Sequence, residues 1–124
     1  MSTATTEVRR RVAVVIYEDA SRDLARAYRG LLTAKEFRDA GDDVLVVYDG
    51  SGVDTLAAAA DPGHQLHRLV EGLRDITLGV CGFCAKAHGV LDTVQAEGWT
   101  LLDQYKGHAS IRQLVGDGRT ILSF

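Results

Sequence analysis

Both cysteines of this 124-residue chain lie in one short segment, GVCGFCAKAHGV, at residues 79–90. Two residues separate Cys81 from Cys84, and His88 follows Cys84 by four. A thiol reacts as its thiolate, and backbone N–H groups at a helix N-terminus favour that anion. On a helix that begins near Gly82, Cys84 and His88 share one face, so the imidazole can act as a proton partner. We therefore predict a catalytic site formed by Cys81, Cys84 and His88.

The residues alone leave four roles open for the two thiols. They can be structural, because buried cysteines behave as small hydrophobic residues. A thioredoxin-like dithiol is disfavoured, because that fold needs a later proline, whereas the only proline, Pro62, precedes the motif. Zinc needs four ligands, of which the loop supplies three, and the candidates for the fourth are His64, His67 and His108. The remaining role is a nucleophilic thiol at an accessible strand end that carries sulfur as a persulfide.

Polar side chains elsewhere in the chain have simpler interpretations. Asp49 opens a DGSG turn and is expected to accept hydrogen bonds from the backbone amides of that turn. His108 lies in the loop QYKGHAS, where we expect it to bond to loop backbone rather than to reach the cysteine loop. The phosphate-binding patterns GxGxxG and GxxxxGK[ST] are absent, so neither a nucleotide nor any other cofactor is predicted.

Apolar runs rich in β-branched residues alternate with segments of helical periodicity. Helical spacing predicts a long first helix with Asp19 or Ser21 as its N-cap, and Ser110 with Gln113 predicts a capping box for the last helix. The alternation indicates an α/β fold with a mainly parallel sheet that is covered on both faces. The strands are predicted at residues 12–17, 43–48, 76–80, 99–102 and 119–124.

The predicted sheet also tells where a site should lie. Ligands of such sheets bind beyond the carboxyl ends of the strands, near a switch in strand order. Cys81 falls at the end of the third predicted strand, and the loop with His108 follows the fourth. We therefore expect the site at this edge of the sheet.

Composition indicates a single globular domain over residues 1–124, with residues 1–10 as a flexible tail. Charged residues make up 25%, hydrophobic ones 46%, and the net charge is -3. The basic cluster at residues 9–11 precedes the first strand and is interpreted as a solvated strand entrance, so no nucleic-acid partner is expected. The polar N-terminus and the short apolar runs predict a cytoplasmic protein with no membrane partner.

The segment CGFCAKAHG resembles the CGxCxxARG loop of the DsrE/DsrF-like (YchN-like) family of small cytoplasmic sulfur-relay proteins. The likeness continues in order through DDVLVVYDGSG, ADPGHQLH, LLDQYKGHASIRQL and the final ILSF. It implies a three-layer α/β/α domain with a five-stranded parallel sheet, assembled into a homo-oligomer such as a trimer or hexamer. It also implies that Cys81, eight residues before Gly89, carries the persulfide, with Cys84 as the resolving thiol. His88 replaces the arginine of the family.

The resemblance and the residues together predict a sulfurtransferase-like carrier. Such a carrier transfers persulfide sulfur or redox equivalents between donor and acceptor proteins and needs no cofactor. The alternative is a non-catalytic oligomeric binding or scaffold module in which the cysteine loop holds a small ligand or zinc.

Overall fold

The structure is a computed structural model that describes residues 8–124, so most of the predicted tail, residues 1–7, lies outside the described residues. Within this range the strands are β1 (Arg11–Ile16), β2 (Asp43–Tyr48), β3 (Thr77–Cys81), β4 (Leu101–Leu102) and β5 (Thr120–Ser123). The α-helices are α1 (Leu24–Asp39), α2 (Gly52–Ala58), α3 (His67–Gly72), α4 (Gly82–Ala87), α5 (Leu91–Ala96) and α6 (Ile111–Gly116), and a short 3₁₀-helix (Arg74–Ile76) precedes β3. None of these described helices is long and apolar enough to cross a bilayer.

All five strands form one parallel sheet in the order β4-β3-β2-β1-β5. From β1 to β4 each connection steps to the next strand in one direction, whereas the chain returns from β4 across the sheet to β5. Parallel crossovers are almost always right-handed, so the two directions place their helices on opposite faces. The predicted three-layer α/β/α fold with a five-stranded parallel sheet is confirmed.

The two faces of the sheet carry cores of unequal size. Helices α1 to α5 pack on one face over a large core that includes Ile16, Leu31 and Tyr48. On the other face α6 packs over a smaller core with Cys81 and Leu114. The central strands are buried on both faces, as their continuous apolar sequences predict, and each fully buried large side chain stabilises the fold by about 1.5–3 kcal/mol.

The first helix begins later than predicted. Its N-cap is Asp23, whose carboxylate accepts a hydrogen bond from the Arg26 N–H at 3.1 Å. Asp19 instead accepts hydrogen bonds from the backbone N–H and the hydroxyl of Ser21, both at 2.8 Å. The predicted caps Asp19 and Ser21 are therefore wrong, because these two residues bond to each other in a turn that precedes the helix.

The strand order places a topological switch between β3 and β4. The chain leaves β3 into α4 on one face, whereas it leaves β4 through residues 103–110 into α6 on the other face. Adjacent strands whose connections diverge in this way leave a crevice at their carboxyl ends, where ligands of α/β proteins usually bind. Cys81 and the loop that carries His108 lie at these carboxyl ends.

Candidate functional site

Four side chains with acidic, thiol or imidazole groups converge at the carboxyl ends of β2, β3 and β4. Asp49 follows β2, Cys81 ends β3, Cys84 lies in the first turn of α4, and His108 lies in the loop after β4. One ligand atom from each residue lies within 4.8 Å of the other three. Asp49 and Cys81 are buried, whereas Cys84 and His108 are partly exposed. Solvent therefore reaches the cluster from the side of Cys84 and His108.

The two sulfur atoms share one imidazole. Nδ1 of His108 lies 3.4 Å from Sγ of Cys81 and 3.8 Å from Sγ of Cys84. The Cys84 thiol also donates to Oδ1 of Asp49 at 3.5 Å. Both cysteines are free thiols. The imidazole and the carboxylate can therefore each accept a proton from a thiol.

The surroundings of Cys84 disfavour its thiolate. Burial raises the pKa of the Cys84 thiol to about 12, and its hydrogen bond with Cys81 and the negative charge of Asp49 act in the same direction. Only the backbone N–H of Gly50 lowers the pKa of this thiol. The expected activation by the N-terminus of α4 is therefore wrong for Cys84, because desolvation and neighbouring negative groups outweigh the amide.

Cys81 is buried rather than accessible. Its exposed fraction is 0%, and it packs with Val47 and Leu102 in the smaller core. The expectation of a solvent-accessible sulfur at the exit of the third strand is therefore wrong for this residue. β3 extends one residue further than predicted, so Cys81 is the last residue of the strand and its side chain points into the core. Cys84 supplies the accessible sulfur of the pair.

His88 lies outside the cluster. Its Nδ1 is 2.6 Å from Oδ2 of Asp54, a residue of α2. Its backbone N–H donates to the carbonyl oxygen of Cys84 at 2.9 Å, so His88 caps the C-terminal end of α4. Among the described hydrogen bonds, neither sulfur has His88 as a partner, and the predicted contact between its imidazole and Cys84 is therefore not formed. The imidazole beside the thiols belongs to His108.

A tight turn fixes the position of His108. The backbone groups of Tyr105 and His108 exchange two hydrogen bonds, of 3.0 and 2.8 Å. The residues between them, Lys106 and Gly107, have φ angles of 50° and 82°, and two positive φ values are typical of a type I′ turn. The carbonyl oxygen of Gly107 accepts a hydrogen bond from the Phe83 N–H at 2.9 Å. The turn that carries His108 is thus tied to the helix that carries Cys84.

Two aromatic residues support the cluster, and sequence reasoning assigned neither of them a role. The ring of Phe83 packs against the imidazole of His108 with 4.3 Å between ring centroids. Burial raises the pKa of Tyr17, and the charge of Asp49 and a hydrogen bond to it raise that pKa further. Their only sequence signal is position, since Phe83 lies between the two cysteines and Tyr17 directly follows β1.

The turn after β2 holds Asp49 in place. The Gly50 N–H donates to Oδ1 of Asp49 at 2.8 Å, which confirms the predicted contact with the turn backbone. The backbone of Asp49 also bonds to Ile16 and Gly52, at 3.0 and 2.8 Å. Asp49 is only 8% exposed, and its carboxylate contacts the Cys84 thiol. The sequence did not indicate this second contact.

Comparison with models of known protein families, with curated proteins and with solved structures finds no match to this chain. The fold and the site thus define an α/β/α protein with a dithiol cluster at a topological switch point. Its resemblance to the DsrE/DsrF-like family stays a prediction that rests on the cysteine loop and the segments around it.

Proposed function

We propose that the protein transfers sulfur between thiols, with Cys84 as the residue that receives it. The observation that carries this proposal is the pair of free thiols beside one imidazole, of which only Cys84 is accessible from solvent. Resemblance to sulfur-relay proteins supports the same reaction class. The resemblance implies Cys81 as the carrier, and the proposal exchanges the two roles because Cys81 is buried.

The transfer step requires a donor persulfide. The sulfur of Cys84 attacks the outer sulfur of the donor, and His108 or Asp49 accepts the thiol proton. The S–S bond of the donor breaks, the donor leaves as a thiol after taking up a proton, and Cys84 becomes a persulfide. An acceptor thiol then takes the outer sulfur in the same way and regenerates the Cys84 thiol.

The Cys81 thiol can also react with the Cys84 persulfide. Its buried sulfur lies within 4.8 Å of the Cys84 sulfur. The Cys81 sulfur attacks the inner sulfur of the persulfide, which forms the Cys81–Cys84 disulfide and releases hydrogen sulfide. Two external thiols then reduce this disulfide to the free thiols and leave as a disulfide of their own. The pair therefore protects the carrier sulfur from irreversible oxidation when no acceptor is present.

Partner proteins belong to the proposal as donor and acceptor. A partner that delivers sulfur to Cys84 would contact Phe83 and Tyr105, which are 54% and 62% exposed beside the site.

The homo-oligomer that the resemblance implies is part of the same proposal. Size-exclusion chromatography with light scattering tests it, and a monomer over the working concentration range contradicts it.

Mass spectrometry of the reduced, metal-free protein tests the sulfur transfer. After exposure to a low-molecular-weight persulfide, trapped protein should gain about 32 Da on Cys84, followed by a form about 2 Da lighter than the starting protein as the disulfide closes. Cys81→Ser should retain the adduct, because no second thiol resolves it. Cys84→Ser should form no adduct, because the remaining thiol is buried.

Two results contradict the proposal in different ways. A wild-type protein that gains no sulfur under these conditions contradicts sulfur transfer altogether. An adduct on Cys81 in Cys84→Ser, formed as fast as in the wild type, contradicts Cys84 as the receiving residue. Circular dichroism of both serine variants confirms that each retains the fold.

A further inference from the structure

Three distances within the cluster are close to the edges of a metal-centred tetrahedron. Zinc binds sulfur at about 2.3 Å and nitrogen or oxygen at about 2.0–2.2 Å, so a sulfur and a neighbouring nitrogen or oxygen ligand lie about 3.6 Å apart. Nδ1 of His108 lies 3.4 and 3.8 Å from the two sulfurs, and Oδ1 of Asp49 lies 3.5 Å from Sγ of Cys84. All four ligand atoms lie within 4.8 Å of one another.

The ligand types select a thiophilic cation. Two sulfurs and one imidazole nitrogen are ligands that Zn²⁺ prefers, whereas Mg²⁺ and Ca²⁺ require mainly oxygen. Two thiolates and one carboxylate supply negative charge for a divalent ion. Among the described contacts of Asp49, Cys81, Cys84 and His108, none comes from a lysine or arginine side chain, so the protein itself provides no cation there.

The residues around the cluster hold the ligands in orientation, as outer contacts do in metal sites. Oδ1 of Asp49 accepts a hydrogen bond from the Gly50 N–H at 2.8 Å. The ring of Phe83 packs on the imidazole of His108. These contacts leave Nδ1 of His108 directed at both sulfurs.

We propose that Asp49, Cys81, Cys84 and His108 form a tetrahedral site for a thiophilic divalent cation such as Zn²⁺. This ligand set differs from the one that the sequence suggested, because Asp49 takes the place of His88. The four ligands come from the loops after β2 and β4, from the last residue of β3 and from the first turn of α4, so the bound cation connects the carboxyl ends of three strands.

Metal binding also regulates the two thiols, and this part of the inference rests on the proposed sulfur transfer. A cation held by both sulfurs occupies the electron pairs that attack a persulfide. The metal-loaded protein is therefore inactive in sulfur transfer and protected from oxidation, and removal of the metal exposes the reactive pair.

Titration of the reduced, metal-free protein with Co²⁺ tests the site without any sulfur donor. We expect about one Co²⁺ per chain, with the intense visible absorption of a tetrahedral ion and a sulfur-to-cobalt charge-transfer band, and displacement by Zn²⁺. Failure of the wild-type protein to give these bands or to bind stoichiometrically overturns the site. Because this readout uses no sulfur donor, it is independent of the outcome of the sulfur-transfer experiment.

Variants of nearly equal size identify the ligands. Asp49→Asn, Cys84→Ser and His108→Phe should each weaken Co²⁺ binding by more than about 100-fold, which exceeds the roughly 10- to 100-fold effect of residues that only orient ligands. His88→Ala removes the histidine that pairs with Asp54 and should bind Co²⁺ as the wild type does. A loss in His88→Ala equal to that in Cys84→Ser overturns the proposed ligand set.

The regulatory part has its own measurement. One equivalent of Zn²⁺ should slow alkylation of Cys84 and formation of its persulfide by more than about tenfold, whereas an equal amount of Mg²⁺ should change neither. Stoichiometric metal binding with unchanged alkylation overturns the regulation of the thiols. This measurement uses only the wild-type protein, so misfolding of a variant cannot imitate the result.

Discussion

Carboxylates have opposite surroundings at the amino edge of the sheet, where the strands begin, and at the carboxyl edge, where they end. At the amino edge, Asp43 contacts two guanidinium groups, those of Arg119 at 3.0 Å and Arg11 at 3.2 Å. Hydrogen bonding to Arg119 lowers the pKa of Asp43, and the positive charges lower it further. At the carboxyl edge, Asp49 faces a thiol, and burial together with Cys81 and this carboxylate raises the pKa of Cys84.

The difference separates a structural cluster from the cluster that we propose to be functional. At the amino edge each guanidinium is paired with the Asp43 carboxylate, so these contacts stabilise the fold and require no ligand. The carboxyl edge brings together proton donors and acceptors without a cation from the described residues. Such an arrangement costs stability unless a proton, a sulfur atom or a metal ion completes it, and perturbed groups in a crevice are typical of functional sites.

The largest effect is expected from a substitution that breaks the carboxyl edge, Gly52→Ala. A Cβ atom at Gly52 would overlap the backbone carbonyl of Ile16, and neither backbone segment can move without displacing the turn that holds Asp49. We expect a loss of about 3–4 kcal/mol in the free energy of unfolding, measured by urea denaturation. Gly72→Ala is the matched control, because a Cβ there meets no atom within 4 Å. It should stabilise α3 by up to about 1 kcal/mol, and equal losses in both variants contradict the argument.

Arg119→Ala breaks the amino edge. The Arg119 side chain is only 7% exposed. Besides its ion pair with the Asp43 carboxylate, it donates to the backbone carbonyl oxygens of Val12 and Asp43, at 3.1 and 3.0 Å. Its removal takes one donor from each of these part-buried carbonyls and the main partner from the Asp43 carboxylate, which should reduce the free energy of unfolding by about 2–3 kcal/mol. Arg11→Ala is the control from the same cluster, because its exposed ion pair contributes about 0.5 kcal/mol. Similar losses in the two variants would show that burial of Arg119 has no part in stability.

Asp43→Asn sharpens the electrostatic difference through its pH dependence. The pKa of Asp43 is lower in the folded state, so its ion pair stabilises the protein above the unfolded pKa of about 3.9 and loses this effect as pH falls through the folded value. At pH 7 we expect the variant to be less stable by about 1 kcal/mol. Urea denaturation should show the same gap between variant and wild type at pH 7 and pH 5, and a smaller gap at pH 3. A gap that stays constant over this range contradicts a contribution from the ionised carboxylate.

Most of the fold follows from local patterns in the sequence. The continuous apolar sequences of β1 and β2 predict strands buried on both faces, and the structure confirms them. β4 is shorter than predicted, with two residues in place of four. The difference arises at Trp99, which is 7% exposed under the guanidinium of Arg74, 3.6 Å from the ring centroid. A buried apolar residue beside a strand looks in the sequence like a residue of that strand, so the prediction included Trp99 in β4.

The site was only partly predictable, because its members are far apart in the sequence. Cys81 and Cys84 are recognisable as neighbours from their spacing alone. The spacing also favoured His88, but the imidazole of His88 pairs with the carboxylate of Asp54 in α2 instead. That His108 and Asp49 meet the thiols depends on the order of β2, β3 and β4 in the sheet and on a turn with two positive φ angles. Neither feature can be read from composition or periodicity.

The smallest expected effect is a gain in stability at the carboxyl edge from Lys106→Asn. Lys106 has a φ of 50°, a conformation that disfavours most side chains by about 1 kcal/mol but that asparagine tolerates, and Asn-Gly is the preferred pair of a type I′ turn. The substitution also removes an exposed contact between Lys106 and the ring of Tyr105, 5.7 Å from its centroid, which contributes about 0.5 kcal/mol. We therefore expect a net stabilisation of about 0.5 kcal/mol, measured by urea denaturation.

The same replacement inside a helix provides the control for Lys106→Asn. Lys86 lies in α4, where asparagine is a poorer helix former, so Lys86→Asn should destabilise the protein by about 0.5 kcal/mol. Opposite signs for the two variants would show that the turn conformation, rather than loss of a positive charge, determines the effect. If Lys106→Asn destabilises the protein as much as Lys86→Asn does, the strain assigned to the turn is wrong. Because the turn positions His108, a more stable turn should also hold the imidazole in place and leave alkylation of Cys84 unchanged.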